Sequence, residues 1–333
     1  MNRLPKNPRS INNRIAGFPV RIEDMKDSPS FYNPNRIGTL FYPNMNDIAA
    51  DASQANLNPV ASEDSKNLLV IIDMQVDFCH PHGSLYIPGA EGDIQRLIAF
   101  IYRHAAKISH ISCTLDSHLP FQIFHPGWWA DETGRNPEPL TTIDQTAVSA
   151  GTWHPLANPE HSTTYVAQLE NQAKKQLMIW PYHVLLGGLG NMLDPELWSA
   201  VMWHSLARQS QPTWVQKGTV PQTEHYSAIR PEILVPEHPD GGKNEAFLAS
   251  LRQADKVFIA GEASSHCVLE TLQDIVNEFG TTPTSLQKFY VLEDCMSPVQ
   301  HPAVDFATLT KQKFAEFAQQ GLRFINSNDP FPG

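Results

Sequence analysis

The sequence predicts a three-layer α/β/α protein built on a doubly wound, mainly parallel, six-stranded sheet. Three observations carry that prediction. Short, near-continuous apolar runs recur along the chain, which is how strands covered on both faces read. Helical patterns separate most of them, as parallel crossovers require. Several runs end on polar residues, and in such sheets the ligand sits beyond the carboxyl ends of the strands.

Taken in order, residues 1–66 are rich in Asn, Pro and Ser and hold no sustained period of 2 or 3.6. They read as an N-terminal arm with no independent fold, on which a patch such as IGTLFY (37–42) has the character to dock on the body. The texture changes at residue 67, from which one domain is expected to run to residue 333. LLVIID (68–73) is a strand, DIQRLIAFIYRHAAK (93–107) puts Ile94, Leu97, Ile98 and Ile101 on one helical face, and HISCTLDSH (110–118) is a second strand. LMIW (177–180), TWVQKG (213–218), KVFIAG (256–261) and FYVLED (289–294) supply the remaining strands. Helices are expected in PELWSAVMWHSLARQ (195–209), NEAFLASLRQ (244–253) and HCVLETLQDIVNEF (266–279). An insertion at about 126–176, with Trp128, Trp129 and Trp153, reads as a lid near the mouth of a site. No internal repeat is visible.

Composition narrows the partners. Of 333 residues, 24 are Lys or Arg and 35 Asp or Glu, for a net charge of −11 without a basic cluster. That balance argues against nucleic acid and against an anionic membrane surface, and favours a small ligand. Cys79, Cys113, Cys267 and Cys295 lie far apart with no C-x-x-C pair, so they read as reduced thiols in a cytoplasmic protein. The longest apolar run, LLVII at 68–72, is far too short to span a bilayer.

Four strand ends collect chemistry: Asp73 closes the first, Asp116 the second with His118 two further, Lys217 the third, and GEASSHC leads into Cys267 as a helix begins. A thiol in the first helical turn feels the positive end of the macrodipole, which favours thiolate. The bend before it offers free N–H groups for an oxyanion. Each residue alone has an ordinary reading: a lone Cys is commonly a small buried hydrophobe, a strand-end Asp a turn former, a strand-end Lys a solvated charge. Their coincidence on one rim carries the argument, because a carboxylate can take a thiol's proton while an ammonium orients it.

These blocks, VIIDMQVDF (70–78), Lys217 and GEASSHCV (261–268), resemble in chain order the three catalytic blocks of the isochorismatase-like cysteine hydrolases. The D-x-H at 116–118 and the W-P-x-H at 180–183 resemble the nicotinamidase branch. The likeness spans about residues 67–300. It implies Asp73, Lys217 and Cys267 as catalytic residues, backbone N–H groups of Ala263 and Cys267 as an oxyanion hole beside a cis Glu262–Ala263 peptide, and Phe78 and Trp180 as walls for a planar ring. It also implies one divalent metal ion (Zn, Fe or Mn) held by Asp116, His118 and His183. His125 is a further candidate ligand, displaced by one residue from the expected spacing, and Val184 stands where a Cys often follows the histidine.

The expectation is a metal-assisted cysteine amidase acting on nicotinamide, as a homo-oligomer with a small-molecule amide as its partner. An isochorismatase-family hydrolase for another amide, ureido or vinyl ether substrate is the alternative, and a non-catalytic binding protein on the same scaffold a more distant one.

Overall fold

The computed structural model describes residues 28–333 except Lys174. The first 27 residues of the expected arm lie outside the described residues. The central sheet has six parallel strands: β1 (Asn67–Ile72), β2 (His110–Asp116), β3 (Thr213–Lys217), β4 (Lys256–Gly261), β5 (Phe289–Leu292) and β6 (Arg323–Ile325), in the order β6-β5-β4-β1-β2-β3.

All six residues of β1 are buried, and their alternation divides the core in two. Leu69 and Ile71 face a cluster with Ile94, Leu97, Ile98 and Ile101 of α2 (Ala90–His104) and Leu197 and Val201 of α3 (Pro195–Arg208). Leu68, Val70 and Ile72 face the other layer, formed by α4 (Glu245–Gln253), α5 (Cys267–Phe279) and α6 (Phe306–Gln320). A period of two thus feeds two helix layers from one strand. The chain winds outward through β2 and β3, then restarts on the other side of β1 with β4. That reversal opens a crevice between the carboxyl ends of β1 and β4.

Two strand assignments change. Leu177–Met178 is not in the central sheet but pairs antiparallel with Thr142–Ile143, because the insertion supplies its partner. The sixth strand is instead β6, whose three residues are too few for a periodic signal. α6 and the Pro159–Gln168 helix also escaped the sequence reading.

Residues 28–66 contain a helix, α1 (Met45–Gln54), capped by Asn44. Ile48 and Ala52 pack on Trp203 and Ala207 of α3, and the Trp203 indole donates to Asp51 at 3.0 Å. One isoleucine among alanines makes a weak stripe, and a tryptophan some 150 positions away completes it. The insertion has a small core of its own. Trp128 and Trp129 are buried in it and donate to Ser162 Oγ and the Ile123 carbonyl, so these two tryptophans are structural and not pocket walls. Among the described residues no helix is long and apolar enough to cross a membrane.

Candidate active site

Strand register brings the rim residues together. Asp116 and Lys217 are Cα partners at the ends of β2 and β3, and Asp73 follows Ile72, which pairs with Gly261 at the end of β4. Gly261 has φ +138°, and a Cβ there would lie 2.1 Å from the Ile72 carbonyl oxygen, so glycine is required where the two strands end. After the cis Glu262–Ala263 peptide the chain turns into α5, with Cys267 as its first residue.

Lys217 is the hub. Its buried ammonium lies 2.8 Å from Asp73 Oδ2 and 3.1 Å from Asp116 Oδ1, donates to the His225 carbonyl at 3.0 Å and stands 3.5 Å from Cys267 Sγ. Thr114 Oγ1 donates to Asp73 Oδ1 at 2.5 Å and accepts from the Asp73 N–H at 3.1 Å. Burial opposes the charge on Lys217, yet Asp116 and Asp73 outweigh it and hold the ammonium above its ordinary range. Burial raises Asp73, with Lys217 pulling the other way. Burial also pushes the Cys267 thiol well up, despite Lys217, and the neighbouring Asp73 carboxylate adds to that rise. Here the structure corrects the expectation of a resting thiolate: full burial costs an anion more than the helix start returns. Cys267 is a neutral thiol with a base beside it. No side chain caps α5; its Val268 N–H donates to the Ala263 carbonyl at 3.2 Å, while Ala263 and Cys267, whose N–H groups form the expected oxyanion hole, line the cavity.

The second group of the rim is Asp116, His118 and His183, whose candidate ligand atoms all lie within 4.8 Å of one another. His118 Nδ1 sits 3.2 Å from the Gly218 carbonyl and His183 Nδ1 2.7 Å from the Pro181 carbonyl. Each ring therefore donates from Nδ1 and turns a lone pair at Nε2 inward, the arrangement that second-shell carbonyls impose on metal-binding imidazoles. His118 Nε2 faces Asp116 Oδ2 at 3.0 Å. Two acceptors at that distance need a cation or a proton between them. Burial raises the Asp116 carboxyl, but the positive charge of Lys217 and of His118 when it carries the proton outweigh it and hold the group below the usual carboxylate range, and a metal cation in place of that proton would act in the same direction. Burial lowers His183 to about 4, keeping its ring neutral and its lone pair free. One carboxylate and two imidazoles fit a divalent transition-metal ion.

Gly218 fits under this group: it has φ +82°, and a Cβ would approach Asp116 Oδ1 to 2.5 Å and the His118 ring to 2.9 Å. Gln75 clamps the backbone of Asp116 by accepting from its N–H at 2.8 Å and donating to its carbonyl at 2.7 Å. Neither residue was singled out from sequence. Thr114 had a readable signal, since it stands two before Asp116 on the same strand face.

His125 lies outside the trio. Its ring centroid is 5.8 Å from that of His118 and 6.3 Å from that of His183, and neither of its buried nitrogens has a hydrogen-bond partner. Burial lowers it to about 3.

Phe78, Trp180, His183, Tyr226, Ala263 and Cys267 line one cavity, so both expected ring walls meet Cys267 and His183 in a single space. Glu224, His225 and His266 also line it and were not anticipated. His266 directly precedes Cys267, but Glu224 and His225 adjoin no expected residue, and their types alone do not mark a pocket.

No protein-family model matches the chain, and no curated protein matches its sequence. Solved structures do. A nicotinamidase/pyrazinamidase of Acinetobacter baumanii superposes with a TM-score of 0.52 at 20% identity, covering 80% of this chain and 99% of its own. The yeast nicotinamidase superposes with a TM-score of 0.52 at 18% identity, covering 78% and 99%. The chain thus has the α/β/α fold of the nicotinamidases, the fold that its ordered sequence blocks implied.

Proposed function

We propose that the protein is a metal-assisted cysteine amidase of the nicotinamidase type, hydrolysing nicotinamide to nicotinate and ammonia. The observation that carries this reading is that Cys267, backed by the buried Asp73 and Lys217, lines one aromatic-walled cavity together with the Asp116, His118 and His183 trio.

In this reading Asp73 takes the proton of the Cys267 thiol as Sγ attacks the amide carbonyl carbon. The backbone N–H groups of Ala263 and Cys267 hold the oxygen as it becomes negative. Protonated Asp73 then passes its proton to the departing nitrogen, ammonia leaves, and a thioester remains on Cys267. Asp73, a base again, takes a proton from water as it attacks the thioester and hands it to the departing Sγ, which restores the thiol and the carboxylate. Lys217 keeps Asp73 oriented throughout and offsets the anion formed beside it. Asp116, His118 and His183 would hold a divalent ion, which would supply a Lewis-acid anchor for a ring nitrogen or a bound water, while Phe78 and Trp180 wall the ring.

A second reading, another amide of similar size, is favoured by His225, whose buried ring lines the cavity with both nitrogens unpartnered. The test is ammonia release from nicotinamide and from benzamide, which has the same shape without the ring nitrogen. Nicotinamide should turn over about tenfold to a thousandfold faster, since an unpaired polar site costs about 1–3 kcal/mol or somewhat more. Equal rates would reduce the reading to a generic cysteine amidase, and no release from either would favour the other amide.

A further inference from the structure

One wall of the cavity is tied to the insertion by a buried carboxyl group that the hydrolysis itself does not use. Glu224, 3% exposed, accepts at Oε1 from the Tyr226 hydroxyl and, at 3.4 Å, from the Trp180 indole N–H. That N–H also donates to the Tyr226 hydroxyl at 2.9 Å. At Oε2 Glu224 accepts from the Tyr165 hydroxyl at 3.2 Å, and the same hydroxyl accepts from the Glu224 backbone N–H at 3.0 Å. Tyr165 belongs to the insertion helix Pro159–Gln168 and is fully buried, whereas Trp180, Tyr226 and Glu224 line the cavity.

We propose that Glu224 is a positioning residue, which fixes the Trp180 and Tyr226 wall of the substrate cavity and anchors it through Tyr165 to the 126–176 insertion. A carboxylate is suited to this because it accepts from three donors at once and so dictates where two aromatic rings point. An indole free to tilt would leave a planar substrate without a fixed face to stack on. The insertion then works as a buttress behind the wall instead of a flap over it.

The charge state of the group belongs to the same picture. Burial raises the Glu224 carboxyl to about 7, hydrogen bonding from Tyr226 and Tyr165 and the charge of Lys175 act against burial, and Glu232 adds to it. As pH rises through that value the group loses its proton and becomes an acceptor for all three donors. The wall should therefore tighten, and substrate affinity improve, from the acid to the alkaline side.

The claim rests on reading the cavity as a substrate site, so its test needs one measurement that does not depend on turnover. In protein labelled with 15N at tryptophan, the Trp180 indole resonance is assigned by Trp180→Phe. Glu224→Ala should move that resonance, Glu224→Gln should return it most of the way, and in the unsubstituted enzyme it should titrate near neutrality. In the kinetic arm, nicotinamide hydrolysis by Glu224→Ala should show KM raised about tenfold with kcat nearly unchanged, as expected for one lost wall contact in binding. Tyr165→Phe should raise KM by about threefold. Glu224→Gln should recover KM and abolish its pH dependence. A Trp180 resonance unmoved in both Glu224→Ala and Tyr165→Phe would overturn the proposal whatever the activity. So would a fall in kcat at constant KM. If the resonance responds as expected while nicotinamide is not hydrolysed by the unsubstituted enzyme, the positioning role stands and the substrate assignment fails.

Discussion

The two halves of the site share a carboxylate but solve opposite electrostatic problems. Around Lys217 every buried charge has a protein partner: Asp73 and Asp116 flank the ammonium, a backbone carbonyl accepts from it, and the thiol is neutral. Around His118 the partners are all acceptors, with two imidazole lone pairs and the far oxygen of Asp116 facing inward. The first arrangement is complete as folded, since a buried ion pair is tolerated when geometry and hydrogen bonds are good. The second is complete only with a cation or a proton between His118 and Asp116. Two carboxylates against one ammonium also leave a surplus negative charge, which a divalent ion on the Asp116 side would offset. Asp116 makes the two halves one site, with Oδ1 on Lys217 and Oδ2 on His118.

The largest effect expected separates the halves. Cys267→Ala should lower amidase turnover by at least about a thousandfold, because a nucleophile acts as part of a unit. Metal content, measured by elemental analysis, should stay near that of the unsubstituted protein. In the latter, iodoacetamide should label Cys267 at the cavity before the fully buried Cys113 and Cys295. Substantial activity in the alanine variant would remove the thiol from the mechanism.

The converse substitution is next. His118→Ala or His183→Ala should cut bound zinc, iron or manganese by about a hundredfold in affinity, a loss at the upper end for perturbed metal sites. Cys267 should still react with iodoacetamide in both variants. Unchanged metal content would show that the inward lone pairs serve another purpose.

Lys217→Met probes the point where the halves meet. Removing the ammonium leaves Asp73 and Asp116 uncompensated, and breaking a buried pair from one side costs about 3–5 kcal/mol of stability. Chemical denaturation should read that loss at neutral pH. Both carboxyl groups can escape the penalty by protonation, so the deficit should shrink as pH falls. A deficit independent of pH would point to lost packing in place of lost charge.

The smallest effect should come from His125→Phe. Its ring sits outside the trio, so metal content should change by less than about twofold against the much larger losses at His118 and His183. A loss matching theirs would enlarge the trio to four.

How much of this was legible in the sequence differs by element. β1 to β5 and α2 to α5 announced themselves because each buries a run or stripe long enough to show its period. β6 and α1 did not, one being three residues long and the other completed by Trp203 of a distant helix. LMIW was misplaced because a short apolar run looks the same whether it pairs with the central sheet or with the insertion.

By itself the sequence determined the order of the strands' polar endings: Asp73, Asp116 with His118, Lys217 and Cys267 were each visible as a residue type at the end of a run or the start of a helix, while His183 entered through the W-P-x-H resemblance. That is local information, carried by periodicity and by the few residues that interrupt it. Tertiary structure alone decided what those residues are to one another. Register made Asp116 and Lys217 neighbours, and burial made Cys267 a thiol when its helix position suggested a thiolate. Backbone carbonyls of Gly218 and Pro181 turned two imidazole lone pairs toward one carboxylate. Burial, register and hydrogen-bond direction depend on atoms contributed by distant segments, so no local pattern can encode them.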